Sequence, residues 1–294
     1  MRYVTESETM HLRDTLARLD EAHRTEEWTQ TMVQRKREEA EFHDWTHDLD
    51  TENPEELPGW EKEHPNMKFY AATVEAAQHR EAWIARHAPG HIFVDYACGR
   101  GTLGLMAARA GAALSIGIDV SPLSVQTARR RAAQQGLEGN TCFLVTDCEN
   151  TGFPDNSVDR VIAAGCLHHL DLSYALPELR RILKPGGRIY AIEALAHNPA
   201  IQLYRRMTPH LRTAFEVEHI VSLRDLQFAR YFFDMQNVRY FHLFSIATTP
   251  LRKTRWFGGA LRVANAIDRI VLKIPPISYM AWSVSFELVK KEAS

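Results

Sequence analysis

Short apolar runs alternate with longer amphipathic segments through the middle of the chain, between residues 69 and 195. The apolar runs lie at 91–95, 113–119, 141–146, 160–164 and 188–193. Each run has the length of a strand, and the segments between them have the length of helices. Because such alternation is typical of parallel strands joined by right-handed crossovers, it predicts an α/β domain with helices on both faces of one sheet.

The two ends of the chain follow other patterns. The first 45 residues are strong helix formers without proline or glycine, residues 50–68 form a proline-containing connection, and a helix resumes near residue 68. Near the C-terminus, apolar patterns predict strands at 238–246 and 279–288. We therefore expect a helical extension at 1–66 and an α/β domain at 67–294, with insertions at about 197–235 and 251–276.

The first apolar run ends in Asp95, and a turn containing Gly99 and Gly101 then opens a helix of small residues. A buried strand, a tight loop and a helix N-terminus are the layout with which α/β sheets hold nucleotide-like ligands. The second run ends in Asp119, where a carboxylate can accept hydrogen bonds from ribose hydroxyls.

Two ligands fit a loop of this kind. Gly99, Gly101 and Gly104 have the spacing of a dinucleotide-binding loop, whose backbone amides face a pyrophosphate. A carboxylate at Asp95 would repel that pyrophosphate, but it can help to hold the amino group of a zwitterionic tail. The sequence therefore favours a nucleoside that carries an amino acid.

Further segments complete a known pattern. Asp147-Cys148 follows the third run, a turn at 153–159 enters the fourth, and Leu183-Lys184-Pro185-Gly186-Gly187 enters the fifth. Together they resemble the Rossmann-like, class I S-adenosylmethionine-dependent methyltransferases, especially the small-molecule branch of ubiquinone/menaquinone and sterol methyltransferases. The resemblance is close over residues 69–195. One departure is Ala97, where the family usually has glycine, and alanine narrows the conformations open to the loop.

The resemblance implies a seven-stranded, mostly parallel sheet whose last two strands pair antiparallel at one edge. It implies S-adenosylmethionine as cofactor, with S-adenosylhomocysteine as product, and Asp147 as an acceptor for the adenine amine. The implied cofactor-binding residues are Asp95, Tyr96, Ala97, Gly99, Gly101, Asp119, Val120, Asp147, Cys148 and Gly165.

Methyl transfer from this cofactor requires that the attacking atom of the acceptor, the methyl carbon and the sulfur lie in line. A catalytic base is needed only if the attacking atom must lose a proton. Candidate catalytic residues follow the fourth and fifth runs: His168, His169 and Glu193, with His197 as a further candidate. His43 and His47 have the spacing of one helix face, but they are interpreted as solvated residues, and no metal is expected.

The chain is 45% hydrophobic, enough for a large core, and its net charge of −2 is unevenly divided. Residues 1–66 hold 18 acidic and 8 basic side chains, and the remainder holds 19 acidic and 27 basic ones. Opposite charge predicts that the extension packs on the domain or on a neighbouring subunit, so a homo-oligomer is expected. An acidic Phe42-His43-Asp44 stretch is expected to lie over the cofactor, as in relatives.

Cysteine usage and the chain start bear on location. The chain has four cysteines, Cys98, Cys142, Cys148 and Cys166, and no two of them form a Cys-x-x-Cys pair. This spacing favours reduced thiols in an intracellular protein. The first residues do not resemble a signal peptide, and no uncharged apolar run is long enough to span a bilayer. We therefore expect a cytoplasmic protein.

The insertion at 251–276 combines bases with an apolar pattern. Its charged residues are the bases Arg252, Lys253, Arg255, Arg262, Arg269 and Lys273 and the acid Asp268. Its apolar residues Trp256, Leu261, Ala264, Ile267, Val271 and Ile274 are expected to form one helical stripe. Three interpretations stay open: a lid over the acceptor, a packing or subunit contact, or peripheral contact with an anionic membrane surface.

These observations predict methyl transfer to oxygen or carbon of a small hydrophobic acceptor, such as a prenylated or terpenoid natural product, a quinone or a lipid. Two alternatives are a non-catalytic, cofactor-binding partner subunit and a nucleic-acid methyltransferase. The second lacks support, because Ala164-Gly165-Cys166-Leu167 replaces an Asn/Asp-Pro-Pro-Tyr tetrad and no basic nucleic-acid domain is evident. No nucleic-acid partner is therefore expected.

Overall fold

A computed structural model describes residues 4–23, 25–47, 67–208, 211 and 213–291 of the chain. One seven-stranded sheet has the strand order β3-β2-β1-β4-β5-β7-β6. The strands are β1 (Ile92–Tyr96), β2 (Leu114–Asp119), β3 (Thr141–Val145), β4 (Val158–Ala164), β5 (Leu183–Ala194), β6 (Asp234–Phe241) and β7 (Ser283–Val289). Strands β1 to β5 are parallel, and β7 runs antiparallel to both β5 and β6. The predicted Rossmann-like sheet with an antiparallel edge is confirmed.

Helices connect the strands and precede them. They are α1 (Glu6–His23), α2 (Glu26–Thr31), α3 (Gln34–His47), α4 (Val74–His87), α5 (Thr102–Arg109), α6 (Pro122–Gln134), α7 (Leu172–Ile182), α8 (Pro199–Met207), α9 (Ala214–Glu218), α10 (Leu223–Phe232) and α11 (Phe257–Val271). Shorter 3-10 turns include Met67–Ala72 and Ser245–Leu251. Within the described residues, no helix combines the length and the apolar character needed to cross a membrane.

Central strands are buried on both faces, as parallel strands covered by helices must be. Every residue of β1 and β2 is buried, and the parallel register aligns Tyr96 with Ile118 and with Ala163. The carboxyl ends of β1, β2 and β4 therefore meet at one edge of the sheet. This edge is where doubly wound sheets bind their ligands.

The N-terminal helices pack on this domain. Leu12 and Leu16 of α1 are buried in the main apolar core, and Asp20 forms a 2.6 Å ion pair with Arg129 of α6. Arg13 donates to the carbonyl oxygen of Gly139 at 2.6 Å. The expected boundary at residue 66 lies among residues 48–66, outside the described part of the chain.

The C-terminal strands are shifted from their expected positions. Strand β6 ends at Phe241 rather than at 246, because His242 adopts a left-handed conformation (φ 67°) and a 3-10 turn follows. Strand β7 begins at Ser283 rather than at 279, after the 3-10 turn Ile277–Met280. Both differences place the long connection between β6 and β7 beside the carboxyl end of β5, since Ser283 pairs with Ala194 and with Phe241.

Candidate cofactor site

A cavity of about 390 Å³ lies at the carboxyl ends of the central strands. Its wall comes from the strand tips, the loops that follow them and helix α3. The lining residues are Arg35, Lys36, Glu39, Ala97, Cys98, Gly99, Arg100, Thr102, Asp119, Val120, Asp147, Cys148, Glu149, Ala164, Gly165, Cys166, His169 and Leu170. Of the ten expected cofactor-binding residues, seven line this cavity, and Asp95, Tyr96 and Gly101 lie behind its wall.

The loop after β1 requires left-handed backbone at three positions. Gly101 is the N-cap of α5 with φ 74°, and a Cβ there would lie 2.8 Å from the Cβ of Ala128. Glycine at this position therefore allows α5 and α6 to approach closely. Ala97 has φ 55°, a conformation that costs an alanine about 1–2 kcal/mol relative to the right-handed region. Ala97, which replaces the family's usual glycine, is therefore held in a strained backbone conformation.

Asp119 fixes the geometry of this loop. Its Oδ2 accepts from the backbone N–H of Gly99 at 2.8 Å, and its Oδ1 accepts from that of Ser121 at 2.9 Å. The residue is only 6% exposed, yet it lines the cavity. Because a carboxylate has about four acceptor sites, Asp119 retains capacity for a hydroxyl donor inside the cavity.

Asp95 lies behind the residues that line the cavity. Its Oδ2 accepts from the N–H of Gly104 at 2.7 Å and so holds the first turn of α5. Burial raises the pKa of Asp95 to about 7. The negative charge of Asp119 also raises this pKa, whereas the hydrogen bond from Gly104 lowers it. Tyr96 is likewise a core residue, and its hydroxyl donates to the carbonyl oxygen of Cys148.

Helix α3 covers the cavity through ion pairs to the loop after β3. Lys36 contacts Asp147 and lies 2.9 Å from the Oε2 of Glu149. Arg35 pairs with the Oε1 of Glu149 at 2.5 Å and donates to the carbonyl oxygen of His169 at 2.8 Å. Burial would lower the pKa of Lys36, but the hydrogen bonds and charges of the two carboxylates outweigh it and raise that pKa. Lys36 is therefore held as a cation in the cavity wall.

Two more contacts hold α3 in place. Glu39 is bonded to the Nδ1 of His169 at 3.0 Å and accepts from the hydroxyl of Thr213 at 2.5 Å. Asp44 accepts from the hydroxyl of Ser121, the N-cap residue of α6. The extension does reach the site, but Arg35, Lys36 and Glu39 line the cavity where Phe42 and His43 were expected to cover it. The side chains of His43 and His47 lie outside the described part of the structure.

Glu193 has a structural position at the end of β5. It is 1% exposed, and its Oε1 accepts from the N–H groups of Cys166 and Leu167 at 2.9 and 2.8 Å. Its Oε2 is bonded to the Nδ1 of His168 at 2.7 Å. Glu193 therefore holds the loop after β4 and orients His168, while its own oxygens are occupied. Of the catalytic candidates His168, His169 and Glu193, His169 lines the cavity and the other two do not.

We expect Glu193→Ala to lower the free energy of unfolding by about 2–4 kcal/mol, since two buried N–H groups lose their acceptor. Urea unfolding followed by circular dichroism measures this change. Glu193→Gln, which keeps one acceptor oxygen, is the matched control and should lose less. A loss below about 0.5 kcal/mol in Glu193→Ala, the range of neutral surface substitutions, would contradict the positioning role.

Neighbouring carboxylates raise the pKa of His169. Burial would lower the pKa of His169, but the hydrogen bond and charge of Glu39, with the charges of Glu216 and Glu193, outweigh it and raise the pKa. Because the folded pKa is raised, the pair stabilises the protein fully below about pH 6.5, the ordinary histidine pKa. That stabilisation is lost as the pH rises through the folded pKa.

The expected consequence is a pH-dependent gap in melting temperature between the wild type and His169→Gln. The gap should be larger near about pH 6 than near about pH 9. Thermal unfolding across this range measures it, and His11→Gln, at an exposed histidine, serves as the control. A gap that is constant with pH, or that grows toward alkaline pH, would show that His169 is not held as a cation.

His168, His169 and Glu216 offer three potential metal-ligand atoms within 4.8 Å of one another. Each of these residues already has a charged partner. The two histidines are bonded to Glu193 and Glu39, and Glu216 lies 3.3 Å from Arg205. A cation here would have to compete with the positive charge of Arg205, so the group fits a hydrogen-bonded cluster better than a metal site.

All four cysteines are free thiols, in agreement with the absence of a disulfide pattern. Cys98, Cys148 and Cys166 line the cavity, and burial raises the pKa of each well above the ordinary value. Since the thiolate is the nucleophilic form, these side chains are inert, small apolar wall groups.

The insertion at 251–276 does not line this cavity, and neither do the described residues of 197–235. The second segment supports the wall from behind, because Thr213 bonds Glu39 and the ring of Phe215 lies 4.5 Å from the guanidinium of Arg35. Helix α11 packs instead on the turn after β6, where Asp268 accepts from the N–H groups of Phe244 and Ser245. Helix α3 therefore covers this cavity, and a role of the insertions over an acceptor stays a prediction.

Comparison with known proteins agrees with this geometry. Residues 93–187 match the family described as a methyltransferase domain. The chain is 37% identical over 111 residues to the ubiquinone/menaquinone biosynthesis C-methyltransferase UbiE of Geotalea daltonii, covering 37% of this chain and 47% of that protein. It is 30% identical over 135 residues to the methyltransferase GfsG of Streptomyces halstedii, covering 45% and 49%. The chain thus spans about half the length of the curated relatives it matches.

Solved structures share the fold. Geranyl diphosphate C-methyltransferase from Streptomyces coelicolor superposes with a TM-score of 0.59 at 17% identity, over 87% of this chain and 97% of that one. The [4+2]-cyclase SpnF superposes with a TM-score of 0.52 at 20% identity, over 74% and 83%. The chain therefore carries a class I, Rossmann-like methyltransferase domain, of the family that uses S-adenosylmethionine. Within that class it resembles UbiE.

Proposed function

We propose that the protein transfers a methyl group from S-adenosylmethionine to oxygen or carbon of a small hydrophobic acceptor. The observation that carries this proposal is the cavity at the carboxyl edge of the sheet, with Asp119 and Asp147 at one side and His169 at the other. We propose that a nucleoside with an amino-acid tail occupies this cavity.

Two carboxylates have the chemistry to orient the nucleoside. Asp119 is proposed to accept from the ribose hydroxyls, in addition to its bonds to Gly99 and Ser121. Asp147 is proposed to accept from the adenine amine with a remaining lone pair, since its Oδ1 accepts from the N–H of Glu149 at 2.8 Å and its Oδ2 contacts Lys36. Both are buried enough for charge-assisted hydrogen bonds to be strong.

Aromatic side chains at the carboxyl end of β5 support an apolar acceptor. The ring of Phe69 meets those of Tyr204 and Trp282 at centroid distances of 5.2 and 5.9 Å, and Tyr70 lies 6.1 Å from Trp282. Lys68 lies over the rings of Phe69 and Tyr204. Such rings bury apolar groups and attract positive charge on their faces, as needed beside a sulfonium or a carbocation. These rings do not line the cofactor cavity, so they are proposed to contact a prenyl, terpenoid, quinone or lipid acceptor that extends beyond it.

The reaction is an in-line displacement in which the methyl–sulfur bond breaks while a bond to the acceptor forms. A hydroxyl acceptor must lose its proton, and His168 is proposed to take it. With Glu193 bonded to its Nδ1, the Nε2 atom would carry the lone pair of the neutral ring. Glu39 is bonded to the Nδ1 of His169 and raises the pKa of that ring, which favours its protonated form, so His168 is proposed as the base instead. Attack by an alkene carbon requires aromatic stabilisation in place of that base.

Incubation with S-adenosylmethionine and a panel of prenylated quinols, terpenoid alcohols and allylic lipids tests the proposal. The expected result is release of S-adenosylhomocysteine and a product heavier by one methylene. His168→Gln should abolish transfer to hydroxyl acceptors while binding S-adenosylhomocysteine normally, and His11→Gln should have no effect.

Other outcomes decide against the proposal. Cofactor binding without turnover on any member of the panel would favour a non-catalytic partner subunit. In a second incubation, a cell extract receives S-adenosylmethionine with a radiolabelled methyl group. Label in the macromolecular fraction of that extract would favour a nucleic-acid methyltransferase. A product of unchanged mass would indicate rearrangement or ring closure on this fold, which hosts more than one chemistry.

A further inference from the structure

Helix α11 has two different apolar faces, where the sequence predicted one stripe. Its inner face packs on the domain through Leu261, Ala264 and Leu272, which are all buried. Asp268, on the same face, is 4% exposed and accepts from the N–H groups of Leu243, Phe244 and Ser245 at 2.8–3.2 Å. The orientation of the helix on the protein is therefore fixed.

The outer face of α11 is apolar and faces solvent. Its residues recur every third or fourth position: Trp256, Ala260, Val263, Ile267, Ile270 and Ile274. Trp256 is 66% exposed, Val263 62% and Ile270 68%, while Ile267 and Ile274 are 41% and 49% exposed. No charged residue interrupts this stripe, so a continuous apolar surface is left in water. Surfaces of this kind mark a contact with a partner or a membrane.

A row of bases runs beside the stripe. Arg255, Arg262, Arg269 and Lys273 share one side of the helix and are all exposed. Arg269 pairs with Glu75 at 2.7 Å yet keeps 70% of its side chain exposed, and Arg255 stacks over the ring of Trp256. Residues 252–273 contain six bases, and their one acid, Asp268, is buried. The exposed charge that residues 252–273 contribute is therefore positive.

We propose that the outer face of α11 docks on an anionic membrane surface. The apolar stripe would enter the boundary between headgroups and acyl chains, and the bases would contact anionic headgroups. Trp256 at the start of the stripe has the amphipathic ring that favours this boundary.

Charge selects a membrane over a second copy of this chain. A two-fold contact brings the same patch of both copies together, so the basic rows would face each other across a low-dielectric interface. An anionic lipid surface instead complements them. Because vesicle binding is measured without cofactor or acceptor, this inference stands apart from the proposed methyl transfer.

Sedimentation of the full chain with phosphatidylcholine vesicles, with and without phosphatidylglycerol, tests the proposal. We expect binding only with phosphatidylglycerol, and weaker binding at high salt. Ile267→Asp combined with Ile270→Asp should lower the partition coefficient at least about tenfold. Arg262→Gln combined with Lys273→Gln should lower it roughly 10- to 30-fold. Tyr231→Asp, at an apolar residue that is 81% exposed on α10, is the matched control and should bind as the wild type does.

Tryptophan fluorescence provides a second measurement. The emission should shift to the blue with anionic vesicles, and Trp256→Phe should lose that shift. Equal vesicle binding by the wild type and the Ile267→Asp, Ile270→Asp variant would overturn the proposal, as would no binding by the wild type. A dimer in sedimentation equilibrium that dissociates in this variant would assign the stripe to a second copy instead.

Discussion

Replacing Asp119 with alanine is expected to weaken binding of S-adenosylhomocysteine by roughly 5- to 150-fold, or about 1–3 kcal/mol. Two effects act together. The proposed acceptor for the ribose hydroxyls is lost, and the N–H groups of Gly99 and Ser121 lose the carboxylate that fixes the loop. Titration calorimetry on the folded variant measures the change.

Two further variants separate these effects. Asp119→Asn keeps one acceptor oxygen, so it should lose less affinity than the alanine variant. Asp234→Ala removes an exposed carboxylate on the edge strand β6 and should bind as the wild type does. If Asp119→Ala were folded and its affinity unchanged, the ligand could not lie where the proposal puts it.

Replacing Lys36 with methionine is expected to detach α3 from the cavity and to lower the free energy of unfolding by about 1–3 kcal/mol. The side chain is 17% exposed and contacts both Asp147 and Glu149, so its loss leaves two neighbouring carboxylates with less compensation. Hydrogen exchange in residues 34–47 should accelerate, and affinity for S-adenosylhomocysteine should fall as the roof opens. Urea unfolding and exchange mass spectrometry measure these changes.

Lys291→Met is the matched control. Lys291 pairs with Asp234 at 3.2 Å, but the two side chains are 60% and 52% exposed, and such surface pairs contribute little. Its stability should therefore stay near that of the wild type. Exchange in α3 that is as slow in Lys36→Met as in the wild type would mean that apolar packing alone holds the helix, and that its ion pairs do not close the cavity.

The sheet and its glycine loop were predictable because their signals are local. Apolar runs bounded by turns predict strands, and a strand that ends in Asp119 places its carboxylate at the tip whatever surrounds it. The same argument explains why Gly99, Asp147 and Gly165 were found at the cavity. Each lies within three residues of the end of a strand, and parallel strands align their carboxyl ends.

The orientation of side chains and their hydrogen-bond partners were not predictable in the same way. Asp95 lies one residue before the end of β1, but its side chain accepts from the N–H of Gly104 and does not line the cavity. Glu193 is predicted as a proton acceptor because it ends the fifth apolar run, but the sequence does not reveal that its Oε1 accepts from two N–H groups of the loop after β4. A residue's position along a strand says where it lies, but only its neighbours say what it is bonded to.

Residues adjacent in the chain are enough to specify the strands, the loop after β1 and the carboxylate at the tip of β2. Closure of the cavity depends instead on contacts between segments that are distant in the chain. The ion pairs of Arg35 and Lys36 join residues that are more than 100 positions apart in the sequence. No local sequence pattern predicts such contacts. The tertiary structure likewise decided the two faces of α11, because burial of Leu261 and exposure of Ile270 depend on which side of the helix meets the domain.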